Sequence, residues 1–484
     1  MRKQIQQEIE RLKGMGAAYV DTRWYPFEEQ EYLLMWNGNL KVTTSARESG
    51  VGIRVLYKGA WGFSASSDLS DLGALYSKAF DNARVAAERV TFPVRLAEKD
   101  AIHAQFESPC QINPFDVSLA DKVAFLKVMD EKLNQEGVEQ RISDLNFIRK
   151  QIVFIDSEGS EIEKLITEVF SGLRVSGRDS EGGSHERKFR LDRQGESRGW
   201  ESFNMDYFNE NADRIVKEMN QVLGAEACPK DERDVILMPG IFFLQTHETI
   251  GHALELDRIL GYELAYAGGS FVTLDDFGKL QYGSKKLTAR ADATLPNSPG
   301  SFGYDDDGIP AKNTVLIDKG ILVGAITGRQ MVEEANAKAR KHIFDESGGA
   351  NRATSFYRVP IERMTNINID PGDDGTLEDI VKNTEKGIIL DGEKSWSIGS
   401  NREQFHFATE IGWLVEDGQV TDVVKNSTYK GDTVKFWNSL SLLGDESTSE
   451  VQFVDNCGKG QPNQIMQLGH SVPVSRFDNV TIGE

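Results

Sequence analysis

Apolar residues change period along the first hundred positions, and the changes mark out elements. Ile5, Ile9 and Leu12 recur at helical spacing in "MRKQIQQEIERLKG" and predict an amphipathic helix. "YLLMW" and "LKVTTSA" then flank Asn37-Gly38, a dipeptide suited to a two-residue hairpin turn. "GVGIRVLYKGAWGFSAS" places a second turn at Lys58-Gly59. The alanine-rich, proline-free stretch "LGALYSKAFDNARVAAERV" predicts another helix. These elements define an N-terminal α/β domain over residues 1–100.

A second unit, residues 101–228, is expected to be α+β. Ser118 and Asp121 have the spacing of an N-terminal capping box ahead of Val123, Leu126 and Met129. "QIVFIDS" and "EIEKLITEVF" predict a hairpin across Glu158-Gly159. Residues 176–202, polar and rich in Gly, Arg and Ser, are expected to form a long loop, mobile or facing a substrate. From residue 229 to 484 the strand candidates dominate. "DVILMP" reads as a buried strand running into Pro239-Gly240, and "NTVLIDKGILVGAIT", "MTNINID", "KGIILDGE" and "FHFATEIGWLVEDGQVTDVV" follow. The fold class is therefore α+β: an N-terminal α/β domain, a central α+β region and a large β-rich C-terminal domain with one embedded helix.

Composition narrows the function classes. At 484 residues the chain is too long for one small core, and 39 % apolar with 27 % charged residues is ordinary for a globular protein. A net charge of −21 opposes a direct nucleic-acid surface, which needs a basic footprint. No apolar run reaches membrane-spanning length, and the N-terminus lacks the apolar segment of a signal peptide. Cys110, Cys228 and Cys457 are too few and too scattered for a disulfide framework, which points to a reducing cytoplasm.

The embedded helix carries the chemistry. "FLQTHETIGHALELDRIL" places His247, Glu248 and His252 in H-E-x-x-x-H, one residue longer than the H-E-x-x-H of the familiar zinc peptidases. On a regular α-helix, positions five apart lie roughly 140° apart and cannot easily share an ion. A single π-type turn brings them to one side, so the spacing predicts such a bulge, or a comparable break, between the two histidines. Gly251 removes a side chain where the backbone must deform. A catalytic zinc takes three protein ligands and keeps one position for water, so His247 and His252 supply two, and Glu248 suits the base. Third-ligand candidates are Glu255, Asp257, His470 and Cys457, the last expected in a polar, glycine-rich loop, "DNCGKGQPNQ". A thiolate is a natural zinc ligand, which sets Cys457 ahead of Glu255 without closing the question. His103, His185, His342 and His406 read as structural or surface residues, and Cys110 and Cys228 as ordinary thiols.

These residues make the chain recognisable. "HETIGHALELD" resembles the signature of the TldD/PmbA family, also labelled modulators of DNA gyrase. "SGVGIRVLYKGAWGFSAS" resembles the family's first domain. "LPNSPGSFGYDDDGIPAKNTVLIDKGILVGAI", "RMTNINIDPGD" and "FHFATEIGWLVEDGQVT" resemble successive blocks of its last, and "CGKGQ" resembles its cysteine block. Residues 105–225 match only loosely. TldD-like members keep the metal motif and PmbA-like (TldE) members lack it, so the chain resembles the TldD branch. The resemblance implies a zinc peptidase with one Zn²⁺ per chain on His247, His252 and Cys457, and a catalytic Glu248. It also implies unstructured peptide substrates, including precursor leaders and antitoxins. The expected assembly is a heterodimer with a PmbA/TldE-like subunit, or a homodimer.

Two other functions compete with this one. A non-catalytic regulatory or binding subunit of a TldD/PmbA complex is the alternative; the intact motif and the acidic charge count against it. A hydrolase of non-peptide amides could use the same zinc chemistry. For the substrate, "GGSFVTL" (268–274) is expected to offer a strand edge, with Gly268, Gly269, Ser270 and Phe271 contacting an extended peptide.

Overall fold

The computed structural model describes residues 1–191 and 198–483. Its first half is built on one seven-stranded sheet in the order β3-β2-β1-β5-β6-β4, with β7 also on β6. The strands are β1 (Tyr19–Trp36), β2 (Asn39–Tyr57), β3 (Ala60–Ser66), β4 (His103–Glu107), β5 (Gln140–Asp156), β6 (Glu161–Arg178) and β7 (Ser184–Arg190). Asn37-Gly38 and Lys58-Gly59 make the expected turns, all four residues at positive φ. The second hairpin spans the expected run, but the first is much longer than its apolar residues suggest, because the part of β2 next to the Asn37-Gly38 turn is solvent-exposed and polar.

Strands from both sides of residue 100 share this sheet, while two helix pairs divide one of its faces. Helices α1 (Arg2–Gly14) and α2 (Leu72–Ala87) cover Val20, Ile53, Val55, Val153 and Ile155. Helices α3 (Leu119–Leu133) and α4 (Met205–Leu223) cover Leu33, Met35, Leu145 and Phe147. One extra residue in β1 near Pro26 shifts its register against both neighbours, which keeps Val20 and Leu33 on the same face. Ser118 caps α3 through the Asp121 N–H, as its spacing predicts.

The opposite face of the sheet is charged and meets the second half of the chain. Arg54 pairs with Asp21 and with Asp307 at 2.6 Å, and Lys164 with Asp306 at 2.8 Å, all buried. The span 176–202 is not the expected loop: β6 runs to Arg178 and β7 occupies 184–190. Buried positions on β7 alternate as His185, Arg187 and Phe189. His185 bonds Asp179 at 3.0 Å, and Arg187 pairs with Glu218, Asp391 and Glu410. The strand's alternation is thus partly written in charges, which hydropathy does not register. Residues 192–197 of that span lie outside the described residues.

The second half is the β-rich region. Strands β8 (Glu232–Leu237), β9 (Asn366–Ile369), β10 (Lys386–Ile398), β11 (Gln404–Glu416), β12 (Glu450–Lys459), β13 (Gln464–Val472) and β14 (Ser475–Ile482) position the site. Pairing runs β10-β8-β14, then the strand Thr428–Asp432, then β11, and β11 pairs back with β10, closing a ring. Helix α5 (Pro239–Thr246) leaves β8 through Met238 with Pro239 in its first turn, where a missing N–H costs nothing. All its residues but Gly240 are buried, as expected of a helix sunk in a core rather than laid on a surface. No helix among the described residues is long and apolar enough to cross a membrane.

Candidate metal centre

Helix α5 does not continue as an α-helix. Residues His247–Gly251 form a π-turn, in which the His252 N–H donates to the His247 carbonyl five residues back. A short 3₁₀ turn, His252–Leu254, follows, and Glu255 is already extended. The π-turn brings the two imidazoles together, ring centroids 4.7 Å apart and planes at 84°. This is the break the five-residue spacing predicts. Gly251 serves it differently from expectation. Its φ is an ordinary helical −54°, but a Cβ there would lie 2.1 Å from Met364 Sδ, so glycine is needed for close packing rather than for backbone freedom.

Cys457 arrives from the other end of the chain, on strand β12 rather than in a loop. Between Val454 and Cys457 this strand holds one residue more than its partner β13, a β-bulge. Phe453, before the bulge, packs on Phe170 of the first sheet's core. The bulge reverses the side-chain phase, so Cys457 joins Val454 on the opposite face, 4 % exposed, across from Met466. Ligand atoms of His247, His252 and Cys457 then lie within 4.8 Å of one another. The Cys457 Sγ is 3.6 Å from His252 Nε2.

The rest of the hydrogen bonding sets which imidazole atoms face that point. His470, fully buried on β13, has Nδ1 3.0 Å from the Ile367 carbonyl and Nε2 2.8 Å from His247 Nδ1. The Ile367 N–H lies 3.2 Å from the same Nδ1; in the tautomer with the proton on His470 Nδ1, that proton goes to the carbonyl, Nε2 accepts from His247 Nδ1, and His247 Nε2 keeps its lone pair free. His252 Nδ1 lies 2.9 Å from Glu255 Oε2, which likewise frees His252 Nε2. Such orientation by outer partners is typical of metal-bound histidines. The donor set therefore fits a soft-to-borderline ion such as zinc.

Electrostatics agree with that fit. Burial lowers the pKa of His247 and His252, favouring the neutral imidazole that can ligate. Burial alone would raise the Cys457 thiol, but His252 and Arg363 outweigh it and move it down, toward the thiolate. Burial would also raise Glu255, yet Lys459, His252 and Arg258 hold it well below the usual carboxylate range. Glu255 is thus an ionised partner of His252 Nδ1, with Arg258 at 3.1 Å and Lys459 at 3.2 Å. Asp257 is bound to Lys459 at 2.7 Å. Of the four sequence candidates for a third donor, the structure converges Cys457 with the two histidines, sets Glu255 and His470 behind them, and ties Asp257 to Lys459. Arg258, Lys459 and Arg402 carry no sequence signal of this role; Arg258, three residues after Glu255 on the same turn, came nearest to one.

Glu248 is 8 % exposed, and no hydrogen bond engages its carboxylate among the described residues. It lines a cleft of roughly 460 Å³ with His247, His252, Cys457, Arg402, Trp396 and Ile398. The expected strand edge at 268–274 is absent: these residues form no strand. Gly268 adopts φ +79° against the Ser400 carbonyl, and the amides of Gly269 and Phe271 donate to Ser400 and Asn401. Those donors are already used. A different open edge borders the cleft. Among the described residues, β10 pairs with β11 alone from Lys394 to Ile398, its ladder with β8 being confined to 387–390 and the Glu393 carbonyl accepting from Lys188 Nζ. Among the remaining histidines, His342 pairs with Asp345 at the surface, and all three cysteines are free.

Comparison with known proteins agrees with this architecture. Residues 230–484 match the PmbA/TldA metallopeptidase C-terminal domain, 112–228 the central domain and 28–89 domain 1. A metalloprotease of Methanocaldococcus jannaschii is 28 % identical over 97 % of this chain and 96 % of its own. A zinc metalloprotease TldD homolog of Saccharolobus solfataricus is 22 % identical over 97 % and 98 %. In fold, TldE from Thermococcus kodakarensis matches with a TM-score of 0.72 at 16 % identity, over 99 % of this chain and 100 % of that one. A Thermotoga maritima protein titled as a candidate modulator of DNA gyrase matches with a TM-score of 0.75 at 16 % identity, over the whole of both chains. The chain belongs to the PmbA/TldD family of metallopeptidases.

Proposed function

We propose that the protein is a zinc-dependent peptidase acting on unstructured peptides, with His247 Nε2, His252 Nε2 and Cys457 Sγ as ligands and Glu248 as general base. The observation that carries this reading is the convergence of three donor atoms within 4.8 Å beside an unengaged carboxylate. When bound, zinc supplies Lewis acidity and lowers the pKa of water to about 7. The chain's own residues do the rest. Glu248 accepts a proton from the attacking water at a carboxylate oxygen and returns it to the departing amine. His470 and Glu255 fix the two imidazole rings, so the ligand atoms need little reorganisation.

The open edge of β10 supports the substrate class. An extended peptide can add to it through main-chain hydrogen bonds, which give affinity with little demand on sequence. Trp396, half-exposed beside that edge, offers an apolar contact for a side chain of the peptide. The reading includes pairing with a PmbA/TldE-like subunit or a second copy, and a reducing cytoplasm, which three free cysteines favour.

The test is a panel of unstructured peptides and non-peptide amides incubated with purified protein, with chelator, and with zinc restored. Peptide cleavage that disappears with chelator and returns with zinc supports the proposal. Hydrolysis of amides alone would replace it with the broader hydrolase, and an inert zinc-loaded chain with the regulatory subunit.

A further inference from the structure

Arg402 stands in the turn between β10 and β11, in the left-handed conformation at φ 64°, with its side chain drawn inward. It is 8 % exposed and lines the cleft beside Glu248 and Cys457. Its Nη1 donates to the carbonyls of Gly269 at 3.2 Å and Ser400 at 3.4 Å, and its buried Nε has no partner. No carboxylate forms an ion pair with it among the described residues. Arg258, on the same cleft, is the contrast, paired with Glu255.

A guanidinium stays charged, and a buried charge is ordinarily paired. Burial and the neighbouring Arg258 outweigh the carboxylates of Glu248, Glu255 and Glu263 and move the pKa of Arg402 down to about 10, still protonated at neutral pH. Two carbonyls hold one end of the fork in place while the buried Nε has no partner, and the carboxylates of Glu248, Glu255 and Glu263 act on the charge only from beyond ion-pair distance. An anchored cation with no ion pair, on the wall of a catalytic cleft, is a receptor for an anion supplied by the ligand.

We propose that Arg402 receives an oxyanion of the peptide substrate: the oxygen of the scissile carbonyl as it becomes tetrahedral, or the free C-terminal carboxylate. This rests on the peptidase reading above. In the first case, water forms a C–O bond to the carbonyl carbon and the carbonyl π pair moves onto oxygen, facing Arg402. Glu248 takes the water's proton. The C–N bond then breaks, carbonyl oxygen regains its double bond, and the amine leaves with the proton. In the second case, the same guanidinium fixes the end of the chain and sets where cutting occurs.

The experiment compares the zinc-loaded full chain with its Arg402→Gln and Arg402→Lys variants on one peptide with a free C-terminus and on its amidated twin. Zinc content and melting temperature are measured in parallel. The expected result is a kcat/KM lowered about 100-fold in Arg402→Gln, partly recovered in Arg402→Lys, with zinc and melting temperature at parental values. An equal loss in kcat on both peptides assigns the scissile carbonyl. A loss carried by KM and confined to the free-acid peptide assigns the C-terminal carboxylate. A kcat/KM within about threefold of the parent overturns the proposal. So does a loss of activity that merely tracks loss of zinc or stability, which would make Arg402 a brace between the 268–270 and 400–402 segments. A second readout needs no turnover: binding of a phosphinic pseudopeptide, which carries a tetrahedral anion, to parent and Arg402→Gln. Binding weakened about tenfold or more supports the proposal and equal binding overturns it, even if the parent proves inactive and the peptidase reading itself has failed.

Discussion

His470 Nε2 lies 2.8 Å from His247 Nδ1, and its other nitrogen is anchored on the Ile367 carbonyl. A residue 223 positions away in sequence thereby fixes which nitrogen of His247 turns toward His252 and Cys457. His470→Phe keeps a ring of similar shape but removes the acceptor. Zinc affinity, measured by competition with a chromogenic chelator, should fall about 10- to 100-fold while the far-ultraviolet spectrum is unchanged. Unaltered affinity would make His470 a packing residue only.

Cys457 and Glu255 are separable by the same assay. Cys457→Ala should lower zinc occupancy sharply, since it deletes one of three converging donors. Glu255→Gln should weaken binding less, because it alters a hydrogen bond to His252 rather than a donor. The reverse order would place the carboxylate, not the thiolate, on the metal.

The charged face between the two halves of the chain predicts an acid-sensitive stability. Burial would raise the pKa of Asp306, but Lys164 and Arg23 outweigh it and hold it well below its ordinary value. A carboxylate with a depressed folded pKa contributes stability above its unfolded value, about 4, and loses it as pH falls below that. Asp306→Asn leaves Lys164 buried without its partner and should cost about 3 kcal/mol at pH 7 in denaturant unfolding, with the gap to the parent narrowing toward pH 3. A gap independent of pH would assign the loss to packing.

Much of this was legible in the sequence, for physical reasons that differ by element. Asn37-Gly38 and Lys58-Gly59 announce turns because few residues tolerate positive φ at both positions. The π-turn follows from requiring His247 and His252 to share a side. Hydropathy does not register the strand at 184–190, because its buried positions include His185, bonded to nearby Asp179, and Arg187, paired with Asp391 and Glu410 far along the chain. The polar neighbours of Cys457 suggest a loop and hide a strand whose bulge reverses its phase. The 268–274 edge failed because Gly268 serves contact with Ser400, a partner no local pattern reveals. Arg402 leaves no trace, since a lone arginine in a polar turn is ordinary until its burial without an ion pair is seen.

An extended substrate on the β10 edge predicts discrimination by foldedness. A folded protein must open locally before it can present a strand to residues 394–398, and that opening costs free energy. One protein offered in its folded form and as a destabilised, unfolded variant, at equal concentration, should be cut far faster when unfolded. Equal rates would sink the strand-addition picture and leave the metal chemistry untouched.

The central claim is that Glu248 does the proton transfer at a zinc held by its neighbours. It is tested most directly by measuring zinc content and peptide turnover together on the parent and Glu248→Gln. The amide cannot accept the water's proton, so both proteins should hold about one zinc per chain and the parent alone should cleave the peptide. Near-parental turnover by Glu248→Gln, or full activity in a parent stripped of zinc, would contradict it.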